Sequence, residues 1–214
     1  MSSQGSSPRE LTRPVWPVVL RNGVEIEDPL AVALEFLHAY AHLELRGDSG
    51  AASFGEPDLR LANRGGARIS AAEIEAIVAR RRSIERALRT IPPHASLAGP
   101  TQSVPWAPLA ELFGAFADLR GVGFSKMTKA LHPKRPALIP MLDSFVRKYL
   151  HDDDPGGDAP FGERALSLVR GYKRDLDRNR ATTRAIRKEL ANRGYELTEV
   201  RILDVLIWSV EAVG

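Results

Sequence analysis

The sequence predicts a mainly α fold in a single domain, and three observations carry that reading. Apolar residues recur at three- and four-residue spacing through most of the 214-residue chain, the pattern that gives a helix one buried face. Strand-like runs occur only near the N-terminus, and no internal repeat points to a solenoid. Apolar residues make up 43% of the chain, enough for one sizeable core or two small ones.

The elements follow in order. Residues 1–14 are rich in Ser, Gly and Pro and read as a disordered tail, leaving 15–214 as the domain. In "WPVVLRNGVEIED" two β-prone runs flank Asn22-Gly23, a pair that readily adopts the positive φ of a two-residue turn, so a short N-terminal β-hairpin is expected. Asp28-Pro29 supplies an N-cap and a first-turn proline for a helix carrying Leu30, Leu34, Leu37, Tyr40 and Ala41. The stretch "RGDSGAASFGEPDL" breaks it. Ser70 followed by Glu73 is a capping-box pattern, opening a helix whose face is Ile74, Ile77, Val78, Ile84 and Leu88 and which Pro92-Pro93 stops. Leu109, Leu112, Phe113, Phe116 and Leu119 mark the next helix. Beyond the loop "HDDDPGGDAPFG" lie helices at about 161–177, 181–193 and 199–212, the last with Val200, Leu203, Leu206, Ile207 and Val210 on one face.

Composition removes several classes of function. With no cysteine there is no disulfide, thiolate zinc site, cysteine nucleophile or cysteine-held iron-sulfur cluster. No run approaches the roughly 18 apolar residues of a spanning helix, and "MSSQGSSPRELTRP" lacks a secretory apolar segment. A soluble, cytoplasmic protein without a membrane partner is expected. The net charge of +3 is unevenly spread. Glu25 to Asp58 holds eight acids against the single base Arg46, whereas Arg120 to Leu150 holds seven bases against the single acid Asp143. Arg164 to Arg193 holds ten bases against three acids, so the C-terminal half is the candidate surface for a polyanion, with solvated helix faces as the plainer alternative.

The densest stretch is "LRGVGFSKMTKALHPKRPALIPMLDSFVRKYL", residues 119–150. Gly121-Val122-Gly123 joins two helices, and the backbone N–H groups at the start of the second suit a phosphate that glycine lets approach closely. Lys126 and Lys129 follow on the first turns and are placed to neutralise phosphates. Gly-x-Gly also joins helices for structural reasons alone. Pro140 then leads to Asp143 in a helical first turn. That aspartate either does chemistry or interacts with the helix dipole and pairs with Arg147 four residues on.

Leu119, Gly121, Val122 and Gly123, followed by Pro140, Asp143 and Val146 with Arg147 or Lys148 as the basic residue, resemble the helix-hairpin-helix superfamily of base-excision DNA glycosylases. The resemblance covers about 32 residues and implies a helix-hairpin-helix DNA glycosylase-like helical domain, its motif at about 108–132, with DNA as partner. Bifunctional members carry a lysine nucleophile where this chain has Ser125, so the likeness is to the monofunctional, adenine-excising branch. It implies Asp143 as stabiliser of an oxocarbenium-like sugar and helper of the attacking water, since glycosidic cleavage develops positive charge on the sugar. A flipped base also needs a pocket and an acid. The chain departs from the pattern in having no cluster cysteines, in "HPKRPAL" where the family continues a helix, and in lacking an upstream match for the carboxylate that protonates a purine. The alternative is a non-catalytic helical nucleic-acid or protein binding module that keeps only the fold. Separately, "LANRGGARIS", "LHPKRPALIPMLDS" and "RILDVLIW" together resemble an uncharacterised actinobacterial family related to this fold.

Other candidates are weaker. Arg60, Asn63, Arg64 and Arg68 surround Gly65-Gly66 as if facing an anion or a partner helix, although a plain interhelical turn accounts for them. His38 and His42, with Glu35, sit at helical spacing, but the His-Glu-x-x-His pattern is absent. Asp152, Asp153, Asp154 and Asp158 lack the spacing of a calcium loop. No metal and no cofactor is expected. Trp106 and Trp208 read as core.

Overall fold

The computed structural model describes residues 17–40 and 50–212. The expected tail at 1–14 and His42 lie outside them. Two strands, β1 (Val18–Val19) and β2 (Glu25–Ile26), pair antiparallel with Val18 opposite Ile26. Gly23 turns between them at φ +82°, as the Asn-Gly pair predicts. Ten α-helices follow among the described residues: α1 (Pro29–Tyr40), α2 (Glu56–Arg64), α3 (Ala71–Ala79), α4 (Arg81–Thr90), α5 (Trp106–Gly114), α6 (Phe124–Leu131), α7 (Ser144–Tyr149), α8 (Phe161–Arg178), α9 (Arg180–Asn192) and α10 (Glu199–Glu211).

The protein is therefore mainly helical with a short N-terminal hairpin, and three local differences from expectation have physical causes. The segment ahead of Gly65 is a helix, α2, rather than part of a turn. Pro57 presets its first turn, and Asp58 closes its start by accepting from the Gly55 N–H at 2.9 Å. The single helix expected from Ser70 to Leu88 breaks at Arg80, whose φ of −89° and ψ of 2° turn the chain between α3 and α4. The helix expected to reach Leu119 stops at Gly114, and Asp118 takes a positive φ of 61° before the Gly-Val-Gly turn.

The core centres on α10. From Glu199 to Ile207 each residue is buried, with α1, α7, α8 and α9 packed around it. A helix covered on all sides has no polar face to spare, so Arg201 and Asp204, at 8% and 2% exposure, are carried into the interior. The expected one-sided face of α10 is thus too narrow a description. Around this helix, α5 packs on α8 so closely that a Cβ at Gly162 would come within 2.7 Å of the Ala110 carbonyl oxygen.

Arg21, at the turn of the β-hairpin, locks the hairpin to the helices. Its guanidinium pairs with Asp153, donates to Asp175 at 2.6 Å and reaches the Gly171 carbonyl at 2.8 Å, while its backbone N–H donates to the Tyr149 hydroxyl at 2.9 Å. The Asp175 side chain is 1% exposed, so removing Arg21 leaves that buried charge to Arg178 alone and takes a cation from Asp153 as well. Arg21→Ala is expected to lower the unfolding free energy by about 3 kcal/mol, read from the urea midpoint at constant m.

Candidate ligand cleft at Asp143

Most of the basic run from Arg120 to Leu150 is used inside the molecule. Lys134 is buried against Asp58 at 2.8 Å. Arg135 is buried and donates at 2.7 Å to the carbonyls of Leu88, Ile91, Ala51 and Lys134, stapling the end of α4. Lys148 pairs with Glu211 at 3.1 Å. Arg147, the expected partner of Asp143, lies over the Phe124 ring at 5.3 Å. Six bases of the later run are also paired, Arg164 with Asp154, Arg174 with Asp153, Arg178 with Asp175, Arg187 with Glu199, and both Lys173 and Arg180 with Asp177. Two acids of the "HDDD" loop, Asp153 and Asp154, take part in these pairs. No group of three or more His, Cys, Asp or Glu that could hold a metal ion occurs among the described residues.

At the hairpin, Gly121 has φ +81° and Gly123 opens α6 without a side-chain cap. The ground in front of the turn is taken by Glu73. Its carboxylate accepts from Lys126 at 2.6 and 2.7 Å, and a Cβ at Gly121 would collide with it. The Lys126 ammonium and the Ser70 N–H hold the Glu73 carboxyl below its usual range. Ser125 is half-buried on the first turn of α6, and Val122 is buried.

Lys129 does not join this turn. It crosses to the Gly65 carbonyl at 3.2 Å and lies in the field of Asp143. Burial lowers the pKa of its ammonium, and Asp143 offsets that in part. Asp143 is the N-cap of α7, rather than a first-turn residue, its Oδ1 accepting from Phe145 and Val146 N–H at 3.1 Å each. Together they line a cleft of about 80 Å³ whose other polar members are the Gly65 backbone, Arg201 and Asp204. Phe36, Met141, Val146 and Trp208 supply apolar walls.

The three segments grouped in the sequence thus meet here: Gly65 from "LANRGGARIS", Met141 and Asp143 from "LHPKRPALIPMLDS", and Arg201, Asp204 and Trp208 from "RILDVLIW". Asp204 and Arg201 were not singled out from the sequence. Their signal was present as two charged residues three apart within the apolar run Val200–Ile207, which the helix's burial carries into the interior.

Asp204 is a buried carboxyl with a perturbed titration. Burial pushes its carboxyl up to about 7, against the pull of Arg201 and of the Met141 N–H, which donates to Oδ2 at 3.2 Å. Its Oδ1 has no hydrogen-bond partner among the described residues. The Tyr172 hydroxyl, which lies near, uses its proton on the Val200 carbonyl at 2.5 Å.

The second anion candidate has less to offer. Arg60, Asn63 and Arg64 line an open depression of about 890 Å³ between α2 and α3, with Ile74 and Val78. Glu56 and Glu75 share its rim, and Arg60 already pairs with Glu56 at 2.5 Å. The Asn63 amide is committed to both the N–H and the carbonyl of Ile69, at 2.6 and 2.8 Å, which clamps the Gly65-Gly66 turn. Arg68, with φ +55°, acts on Lys129 instead.

The arrangement is a small, mixed-charge cleft in a mainly helical protein. The chain belongs to a family of unknown function (DUF6308), whose model matches residues 37–211. No curated protein and no solved structure matches it.

Because the folded-state pKa of Asp204 is raised, the native protein holds a proton that the unfolded chain releases between about pH 4 and 7. Stability owed to this residue is greatest below that window and is lost as pH rises through 7. Asp204→Asn is therefore expected to be increasingly more stable than wild type from pH 4 to 7, by on the order of 3 kcal/mol at the upper end, measured as urea midpoints at matched pH.

Proposed function

We propose that the chain is a helical binding module that keeps a helix-hairpin-helix-like turn but places its ligand chemistry in the Asp143 cleft. The observation that carries this reading is the position of Glu73. A carboxylate paired with Lys126 lies where a phosphate would approach the Gly121-Val122-Gly123 turn. Lys129, the second cation of that turn, is spent in the cleft. The cleft itself, about 80 Å³, is far below the several hundred cubic ångströms that a nucleoside-sized ligand occupies. Asp143 meets a structural need there by capping α7.

A second reading is favoured by one observation. Asp143 shares the cleft with a second, buried carboxylate, and two carboxyl groups in unlike environments are what hydrolysis of an N-glycosidic bond calls for. In this reading the protein is a monofunctional DNA glycosylase-like hydrolase. Asp143 stabilises positive charge on the sugar, and Asp204 carries the proton for the departing base. Ser125 in place of a lysine leaves no lyase step. The cleft then has to open around an extruded nucleotide, and DNA has to displace Glu73.

Incubation of the full chain with duplexes bearing single lesions or mismatches separates the readings. The module reading expects no base release by wild type or Asp143→Asn. Release that is lost in Asp143→Asn overturns it in favour of hydrolysis.

The hairpin is tested by Glu73→Gln, which keeps a capping-box side chain at that position while removing the charge. If DNA binds at the turn, Glu73→Gln is expected to tighten duplex binding at least threefold, most strongly at low salt, measured by fluorescence anisotropy. Equal, negligible binding by both proteins removes DNA from the partners.

A further inference from the structure

We propose that the chain associates with a second copy of itself, the outer face of the β-hairpin on one copy seating against the arginine face of α4 on the other. Neither surface belongs to the Asp143 cleft or to the Gly-Val-Gly turn, so the contact is independent of both readings above.

One surface is carried by α4. Ile84, Ala87 and Leu88 form its buried side, and Arg82, Arg86 and Arg89, at i, i+4 and i+7, form a stripe on the opposite side. At 1.5 Å per residue the stripe is about 10 Å long. All three arginines are exposed, and none forms an ion pair among the described residues. The one acid of α4, Glu85, already holds Arg81 at 2.8 Å and accepts from the Phe54 N–H at 3.1 Å, and Arg89 reaches it only through its field. Unlike Lys126, Lys134 or Arg164, which meet internal carboxylates, these cations are left to solvent.

The hairpin carries the other surface. Val18 pairs with Ile26 on its buried side, so Val19 and the opposing Glu25 stand on the outer side. Val19 and Val24, at 40% and 38%, are the exposed large apolar side chains among the described residues. Glu25 lies opposite the first and next to the second, and Glu27 and Asp28 follow, all exposed. None of these acids meets a cation among the described residues, and Asp28 accepts only the Ala31 N–H at 2.9 Å. Arg21, the one base of the hairpin, is turned to Asp153 and Asp175. The face is held in place by the Asn179 side chain, which bonds both the N–H and the carbonyl of Val19 at 3.0 Å.

The two surfaces are complementary in charge and in apolar content. Carboxylates without a cation stand on one and guanidiniums without an acid on the other, and the guanidinium fork suits carboxylate oxygens. Exposed ion pairs alone contribute little. The aliphatic stems of the arginines add apolar cover for Val19 and Val24, which a nucleic acid or another polyphosphate does not supply. The hairpin is tied to α8 and α4 packs on α5, and within one chain the two sets of charges do not pair. A second copy brings them together. Because the contact joins unlike surfaces, the angle between them decides whether it closes as a dimer or continues to longer species.

Sedimentation velocity of the full chain tests this at about 20 mM and about 300 mM salt. Wild type is expected to gain mass with rising concentration at low salt, with an association constant at least tenfold smaller at high salt. The triple variant Arg82→Gln, Arg86→Gln and Arg89→Gln keeps helix-forming side chains, and the triple variant Val19→Thr, Glu25→Gln and Glu27→Gln keeps a β-branched residue in the strand. Each is expected to stay monomeric alone. Mixed in equal amounts they are expected to form a one-to-one dimer and nothing larger, since each supplies the surface that the other lacks. The single reversals Arg86→Glu and Glu25→Arg are each expected to weaken association at least fivefold and to recover it on mixing, which a folding defect in a triple variant does not affect. A wild type that stays monomeric at low salt, association that survives in either triple variant, or reversals that do not recover on mixing overturns the proposal. These readouts involve neither DNA nor a cleft ligand, so the lesion assay and the sedimentation series fail separately.

Discussion

The burial of α10 on every side is the constraint on which the rest of the structure depends. An interior helix contributes apolar area in all directions, and here α1, α7, α8 and α9 take that area up. The same burial forces Arg201 and Asp204 out of water, where a charge is tolerated only with partners. Arg201 lies over the Phe36 ring at 5.2 Å, and Asp204 receives the Met141 N–H. The remaining mismatch, an unpaired carboxyl oxygen, is left at the wall of a cleft. The cleft lies where the core is not completed by apolar groups alone.

A second consequence concerns charge. The excess of bases in the C-terminal half looks like a polyanion surface when counted along the chain, but folding spends most of it. Arg135 caps carbonyls at the end of α4, Lys134 and Lys126 are matched by Asp58 and Glu73 from distant segments, and the acids at 153 and 154 neutralise Arg174 and Arg164. Buried or partly buried pairs of this kind are screened little by salt and specify which segments meet. The field left outside is weaker than the composition suggests, and the Gly-Val-Gly turn has a carboxylate beside it. Glu73 makes the point most directly. One residue closes the capping box of α3, binds Lys126 and fills the space that Gly121 leaves open.

The cleft joins chemistry to architecture economically. Asp143 ends the irregular stretch after the single 3-10 turn His132–Lys134 and starts α7, so its oxygen is held by two backbone N–H groups. Lys129 is held by the Gly65 carbonyl, and Gly65 by the Asn63 clamp on its turn. The polar walls of the cleft are therefore held by hydrogen bonds to backbone groups in and beside it.

Local patterns determined the helices and the hairpin. Asn22-Gly23, Asp28-Pro29 and the Ser70/Glu73 pair act over three or four residues, so their structural effects were legible in the chain and recur in the fold. Asp143 was legible as a residue of interest for the same reason, through its place after Pro140. What only the tertiary structure decided is which charges remain available. Glu73 lies 53 positions from Lys126, Lys129 is 64 from Gly65, and Asp204 is 63 from Met141. Linear spacing carries no record of such encounters, because they follow from how amphipathic faces pack rather than from any local preference. The sequence by itself set out a glycine turn, two lysines and an aspartate. Packing assigned one lysine to a carboxylate at the turn and the other to the Gly65 carbonyl in the field of the aspartate, and it brought the buried acid of α10 to the same cleft.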